Sequence, residues 1–137
     1  MSGLILKLRP FEKLLINGVV IENGERKAKL RVCTEGARVL RLRDAMRPED
    51  ATTPATRAYH AAQMGVSGEL TPAQAHLLIE QSLAPDRAAI PAETLATIED
   101  ACVKDDFYKA MRHIRTLIER EREAAAAVDG RRTAAAS

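Results

Sequence analysis

From about Gly3 to Leu42, apolar and polar side chains alternate with a period of two, the pattern of strands that bury one face. Leu4, Leu6 and Leu8 fall on one side of the first strand and Ile5, Lys7 and Arg9 on the other, and Pro10 ends it. Asn17-Gly18 and Asn23-Gly24 lie between such runs. Asn-Gly favours the positive φ angles of type I′ hairpin turns, so the two pairs predict a tight meander. Alternation resumes with Ala28, Leu30 and Val32 facing a core while Lys27, Lys29 and Arg31 project outward. Val39 and Leu40, flanked by Arg38, Arg41 and Arg43, form a last strand before the pattern changes at Asp44.

Two prolines and several turn formers between Arg47 and Pro54 mark 48–54 as a connector. Helical spacing follows. Ala55 to Met64 predicts a first helix, with Gly65 and Gly68 marking its end. A second begins at Thr71 as cap, Pro72 in the first position and Gln74 completing a box-like spacing; its stripe is Ala75, Leu78, Ile79, Ser82 and Leu83, and Pro85 stops it. Pro91 starts a third, with Leu95, Ile98 and Cys102 on one side. Asp105 and Asp106 suit the N-terminus of a fourth, whose stripe is Phe107, Ala110, Met111, Ile114, Leu117 and Ile118. The Ala-rich stretch 124–137, with Asp129-Gly130 inside it and no apolar period, predicts a frayed or disordered tail. The expected fold is therefore α+β in one compact unit: a small antiparallel β module over 1–47, a meander or partial barrel, then about four bundled helices over 55–123.

Composition sharpens this picture. Hydrophobic residues make up 46% of the 137 but aromatics only 3%, and Trp is absent, so Leu, Ile, Val and Ala must fill the core. Apolar runs such as Leu14-Leu15-Ile16 fall far short of the roughly 18 residues a membrane span needs. Lys7 and Arg9 interrupt the N-terminal run too early for a secretory signal, which predicts a cytoplasmic protein. Cys33 and Cys102, far apart, read as two buried thiols rather than a disulfide. Met1, Met46, Met64 and Met111 read as gap fillers.

Candidate chemistry is sparse. His60, His76 and His113 lack the short spacings of a zinc site, and no phosphate-cradling glycine loop or nucleophile elbow occurs, so neither metal nor cofactor is expected. The adjacent carboxylates Glu49-Asp50, Glu99-Asp100 and Asp105-Asp106 point in different directions on a helix and suit helix ends better than acid–base catalysis; the chain does not read as an enzyme. The run Glu119 to Glu123 reads as solvated helix surface. Charge is the informative feature. Residues 1–47 carry eleven basic and five acidic side chains, a net of +6, and residues 48–137 carry ten and fourteen, a net of −4. Strands less than about 5 Å apart, each presenting alternate cations, make a face that follows a phosphate backbone. The candidate RNA-binding residues are Lys7, Arg9, Lys27, Lys29, Arg31, Arg38, Arg41 and Arg43. Phe11 is the only aromatic in the region, which leaves base stacking with weak support.

The residues themselves resemble a known family. Leu6-Lys7-Leu8-Arg9-Pro10-Phe11-Glu12-Lys13, followed by Ile16-Asn17-Gly18-Val19-Val20-Ile21-Glu22-Asn23-Gly24-Glu25-Arg26, is similar to the start of the flagellum biosynthesis repressors called FlbT. Val39-Leu40-Arg41, Asp44, Pro48 and Thr53-Pro54-Ala55 with Tyr59 and Gln63 resemble the middle of that family. Phe107-Tyr108-Lys109-Ala110 with Arg115, Leu117, Ile118 and Glu119 resembles its C-terminal helix, so the likeness spans about residues 4–123. Leu42, Ala45 and His60 depart from the pattern at positions where a charged residue, an isoleucine and an aromatic are expected. The resemblance implies post-transcriptional control of flagellin: association with the 5′ leader of flagellin mRNA and an effect on its translation or decay, negative in some members and positive in others.

A weaker similarity runs to the small mRNA-binding carbon storage regulator, through Leu4-Ile5-Leu6, Glu12, Leu14-Leu15-Ile16 and the late Arg41-Leu42-Arg43-Asp44. It implies that Leu4 to Arg9 and Arg38 to Arg43 frame the RNA surface, with Arg43 foremost. The competing expectation is a protein-interaction adaptor or flagellin chaperone that touches no RNA. Its partner would meet the stripe Phe107, Met111, Ile114, Leu117 and Ile118, either flagellin, a flagellar co-regulator or, in a homodimer, a second copy; against this stands the stronger expectation that the stripe packs on the chain's own β module.

Overall fold

The computed structural model describes residues 3–136, with side chains through Arg131; Met1, Ser2 and Ser137 lie outside the described residues. Five strands, β1 (Leu4–Leu8), β2 (Lys13–Ile16), β3 (Val19–Glu22), β4 (Ala28–Val32) and β5 (Val39–Arg41), precede four helices, α1 (Pro54–Ser67), α2 (Pro72–Leu83), α3 (Ala92–Val103) and α4 (Phe107–Ala136). This is the α+β order expected from the change of hydrophobic period. Only the first Asn-Gly pair closes a hairpin. Asn17 and Gly18 take φ of 50° and 82° and join β2 to β3 in register, Ile16 opposite Val19. Asn23-Gly24 instead leaves β3, and β4 crosses over to pair with β1. The strands therefore form a β1–β4 ribbon and a separate sheet ordered β3-β2-β5, all antiparallel, and not a sequential meander.

Leu14 and Leu15 explain how the layers stack. Neighbours on a strand point to opposite faces, yet both are buried. Leu14 joins Leu6 and Leu8 of the ribbon in one small core, with Ile16, Leu30, Val32 and Val39 packed against it. Leu15 and its cross-strand partner Leu40 join the helical core on the other face. So β2 is covered on both sides, while β3 at the edge is exposed along its whole length. The partly buried ion pair of Glu12 and Arg41 fastens ribbon to sheet. Arg41 Nε and Nη2 donate to the two carboxylate oxygens at 2.7 and 2.9 Å, and Nη2 also donates to the Lys7 carbonyl at 2.6 Å.

Local chemistry sets the helix ends. Thr53 and Thr71 cap α1 and α2, each in a reciprocal box with the residue three further on, Thr56 and Gln74, and a proline fills the first position of both helices. Gly68, at φ 81°, closes α1. Gly65 does not: it lies inside α1, where an added Cβ would sit 2.9 Å from the Phe107 ring, so its role is close packing of α1 on α4. Asp106 Oδ1 accepts from the Lys109 amide at 3.1 Å in the first turn of α4. α1 packs on both α2 and α4, and α3 packs on α4. Two expectations fail here. Phe107, Met111, Ile114, Leu117 and Ile118 are buried in the core and offer no docking stripe, because α1 and α3 already cover that face. The segment expected to be a disordered tail continues α4 through Ala136; alanine is the strongest helix former, and the preceding anchored turns have already met the cost of nucleation.

Candidate nucleic-acid interface

The register of the ribbon builds the basic face. Ile5 lies opposite Arg31 and Lys7 opposite Lys29, so these side chains share one side, while Leu6 and Leu30 share the other and go inward. Arg9 and Lys27 follow immediately beyond the last pair, Leu8 with Ala28. Lys7, Arg9, Lys27 and Lys29 line an open groove of about 800 Å³ together with Arg41 and Arg43, which reach it from β5 and the 3-10 turn that follows. Six of the eight sequence-predicted cations thus converge there, and Arg31 continues the row along β4.

Their states differ. Among the described residues, none of Lys7, Arg9, Lys27, Lys29 and Arg31 has a carboxylate within ion-pair distance. Arg41 is committed to Glu12, and Arg43 Nε stands 4.0 Å from Glu12 and 3.8 Å from Asp44. The Glu12 carboxyl titrates below its ordinary value, first because the Arg9 amide donates to it at 3.0 Å, then because the Arg41 and Arg43 guanidinium groups stabilise its charge against partial desolvation. Arg41 is therefore engaged by Glu12 and acts on the site by holding the ribbon, whereas Arg43 stays 40% exposed at the limit of ion-pair distance. Arg38 does not join the face. Its guanidinium turns to Asp106 at 3.4 Å, on the side where the β2–β3 turn meets the α3–α4 junction.

Three charged residues around the ribbon were not visible in the strand pattern. Glu12, which orients Arg41 and Arg9, lies 29 positions from Arg41, a separation that carries no local signal. Arg112 and Arg115 of α4 line a second hollow with Leu4, Leu6 and Tyr108, on the opposite side of the ribbon; Arg115 Nη2 donates to the Tyr59 hydroxyl at 2.7 Å. A helix carries no alternation that would have set them beside a strand.

Several of the carboxylates are engaged elsewhere. Glu99 pairs with Arg87 at 2.7 Å and Asp100 with Lys104 at 3.1 Å, while Glu49 and Asp50 flank Arg47. Glu121, expected on solvated surface, instead caps α1, accepting from Thr53 Oγ1 at 2.6 Å and the Ala55 amide at 3.1 Å. Cys102 is buried, and desolvation, with Glu80, Glu99 and Asp105 nearby, raises its thiol to about 11. Cys33 departs from expectation and is exposed, since it follows the last paired residue of β4. Among the described residues, no cluster of three His, Cys, Asp or Glu side chains could hold a metal ion, and no helix is long and apolar enough to cross a membrane.

Comparison with known proteins agrees with the residues. No solved structure matches the chain. The probable flagellum biosynthesis repressor protein FlbT of Caulobacter vibrioides strain NA1000 / CB15N is 32% identical over 122 residues, 86% of each chain. The corresponding protein of Rhodopseudomonas palustris strain TIE-1 is 31% identical over 123 residues, 86% of this chain and 94% of that one. The probable repressor FlbT 1 of Bradyrhizobium diazoefficiens is 30% identical over 119 residues, 85% and 80% of the two chains. The family model described as flagellar protein FlbT matches residues 4–125, which takes in both strand layers, the first three helices and α4 as far as residue 125, and the chain belongs to that family.

Proposed function

We propose that this chain is a post-transcriptional repressor of flagellin synthesis that holds the 5′ leader of flagellin mRNA on the outer face of the β1–β4 ribbon and thereby alters its translation or decay. The relatives' names support the repressor part of this reading. One observation carries the RNA part: the register sets Lys7 directly opposite Lys29, with no carboxylate between them. Like charges directly opposite across a ribbon destabilise it, and a polyanion laid along the row removes that repulsion while its counterions are released.

The test is retention of leader RNA as salt is raised. Contact between the five unpaired cations and as many phosphates of a single strand gives a log–log slope of about −3.5, a loss of roughly 100-fold between about 50 and 200 mM salt. The double substitution Lys7→Glu, Lys29→Glu should weaken retention at every salt concentration and flatten the slope by at least about 1. Retention that ignores salt, or is unchanged in the double variant, would remove the basic face from the function. A second reading has its own observation. Strand β3 is an open edge carrying Val19, Val20 and Ile21 in the open, a surface suited to an extended segment of a protein partner such as flagellin. Capture of a flagellar protein from extract that survives ribonuclease and is lost in Val20→Lys would favour this adaptor role.

A further inference from the structure

We infer that Phe11 is a stacking platform for an unpaired base, which makes the basic ribbon a reader of single-stranded rather than duplex RNA; this rests on the RNA-binding reading above. Arg9 to Glu12 forms a four-residue turn, closed by the Glu12 amide donating to the Arg9 carbonyl at 3.1 Å. Pro10 occupies the second position and Phe11 the third, with φ of 58°. That third position, with positive φ, is one for which glycine is the usual choice. A phenylalanine there is strained, and the residue is 62% exposed, so burial in the core does not offset the strain.

The backbone that carries the ring is nevertheless firmly held. The Phe11 amide donates to the Gly24 carbonyl at 2.9 Å, and the Asn23 amide donates to the Glu12 carbonyl at 2.9 Å. The Asn23 side chain bridges the two segments, its Nδ2 donating to the carbonyls of Arg9 at 2.7 Å and Arg26 at 3.0 Å. The second Asn-Gly pair, which closes no hairpin, thus stitches the 23–26 loop to the 9–12 turn. The Phe11 backbone is fixed at the end of the ribbon, two residues beyond Arg9, which lines the basic groove together with Lys27. An exposed aromatic beside a row of cations is the arrangement by which single strands are bound: phosphates on the cations, a base on the ring. A duplex keeps its bases stacked on one another and gains nothing from the ring.

The probe is an unstructured single-stranded RNA of about 12 nucleotides, compared with the same strand paired to its complement. Phe11→Gly relieves the turn and so should fold; circular dichroism checks this. It should lower affinity for the single strand roughly tenfold, with duplex affinity and the salt slope unchanged. Phe11→Trp introduces the sole tryptophan, and its fluorescence should be quenched saturably by the single strand. Unchanged single-strand affinity in Phe11→Gly, or equal losses on both probes, overturns the inference. Loss of a ribonuclease-resistant protein contact in Phe11→Gly with RNA binding intact overturns it too, and assigns the ring to a protein partner. The two readings fail separately. Salt-dependent retention with no effect of Phe11→Gly removes only the stacking, whereas no RNA retention by the unaltered protein at any salt removes both.

Discussion

Ile114→Ala separates a core stripe from a docking stripe. Ile114 is fully buried on α4, in the cluster that also holds Ala58, Ala61 and Ala62 of α1 and Ile98 and Cys102 of α3. Truncation removes three carbon atoms, about 2.4 kcal/mol of transfer free energy at ~0.8 per carbon. The unfilled space adds to this, because small neighbours such as alanine cannot swing in to fill it, and measured truncations of this kind span about 2–5 kcal/mol. Alanine's better helix propensity returns only ~0.5 kcal/mol. The expected net loss is about 3 kcal/mol. In urea unfolding followed at 222 nm, a slope of about 2 kcal/mol per molar puts the midpoint roughly 1.5 M lower. Thermal unfolding should move down by roughly 10 °C. Had this stripe been kept free for a partner, the isolated protein would scarcely notice the change. A midpoint shift below about 0.5 M would therefore refute the packing of α4 described above.

Other groups give independent checks. The folded Glu12 carboxyl titrates below its unfolded value near 4.5, so its contribution to stability is complete above that pH and disappears as pH falls through the lowered folded value. Unaltered protein should accordingly exceed Glu12→Gln in stability most clearly near neutrality, and the two unfolding curves should converge on acidification below the ordinary carboxylate range; a gap independent of pH would mean that the Arg9 and Arg41 contacts do not depend on the charge. Thiol labelling of the native protein near pH 8 should modify Cys33 quickly and spare Cys102, whose burial and raised pKa suppress the thiolate, with both reacting in denaturant. Rapid modification of two thiols without denaturant would show that α3 opens readily.

Much of this molecule is local and was open to reading along the chain. The period of two over the first forty residues and the helical spacing after Pro54 fix the α+β order, because each period fits one backbone geometry. Thr71-Pro72 with Gln74 specifies a helix start within one turn, and Asn17-Gly18 specifies a hairpin, since the chemistry of each lies within a few bonds. The alternate cations of the first and fourth strands were legible for the same reason, and the register then sets them on one face.

What the chain did not reveal depends on residues brought together from far apart. Whether Asn23-Gly24 turns β3 back on itself or releases it is decided by β1, which claims β4 as its partner and leaves β3 as an edge. Arg38, Arg41 and Arg43 look equivalent along the chain, yet Asp106 draws the first away and Glu12 binds the second. Coulombic preference acts over a few ångströms of space, and sequence distance says nothing about which carboxylate will be that close. The fate of the Phe107–Ile118 stripe was open in the same way. An apolar helix face states only that something must cover it, and the packing of α1 and α3 determined what does.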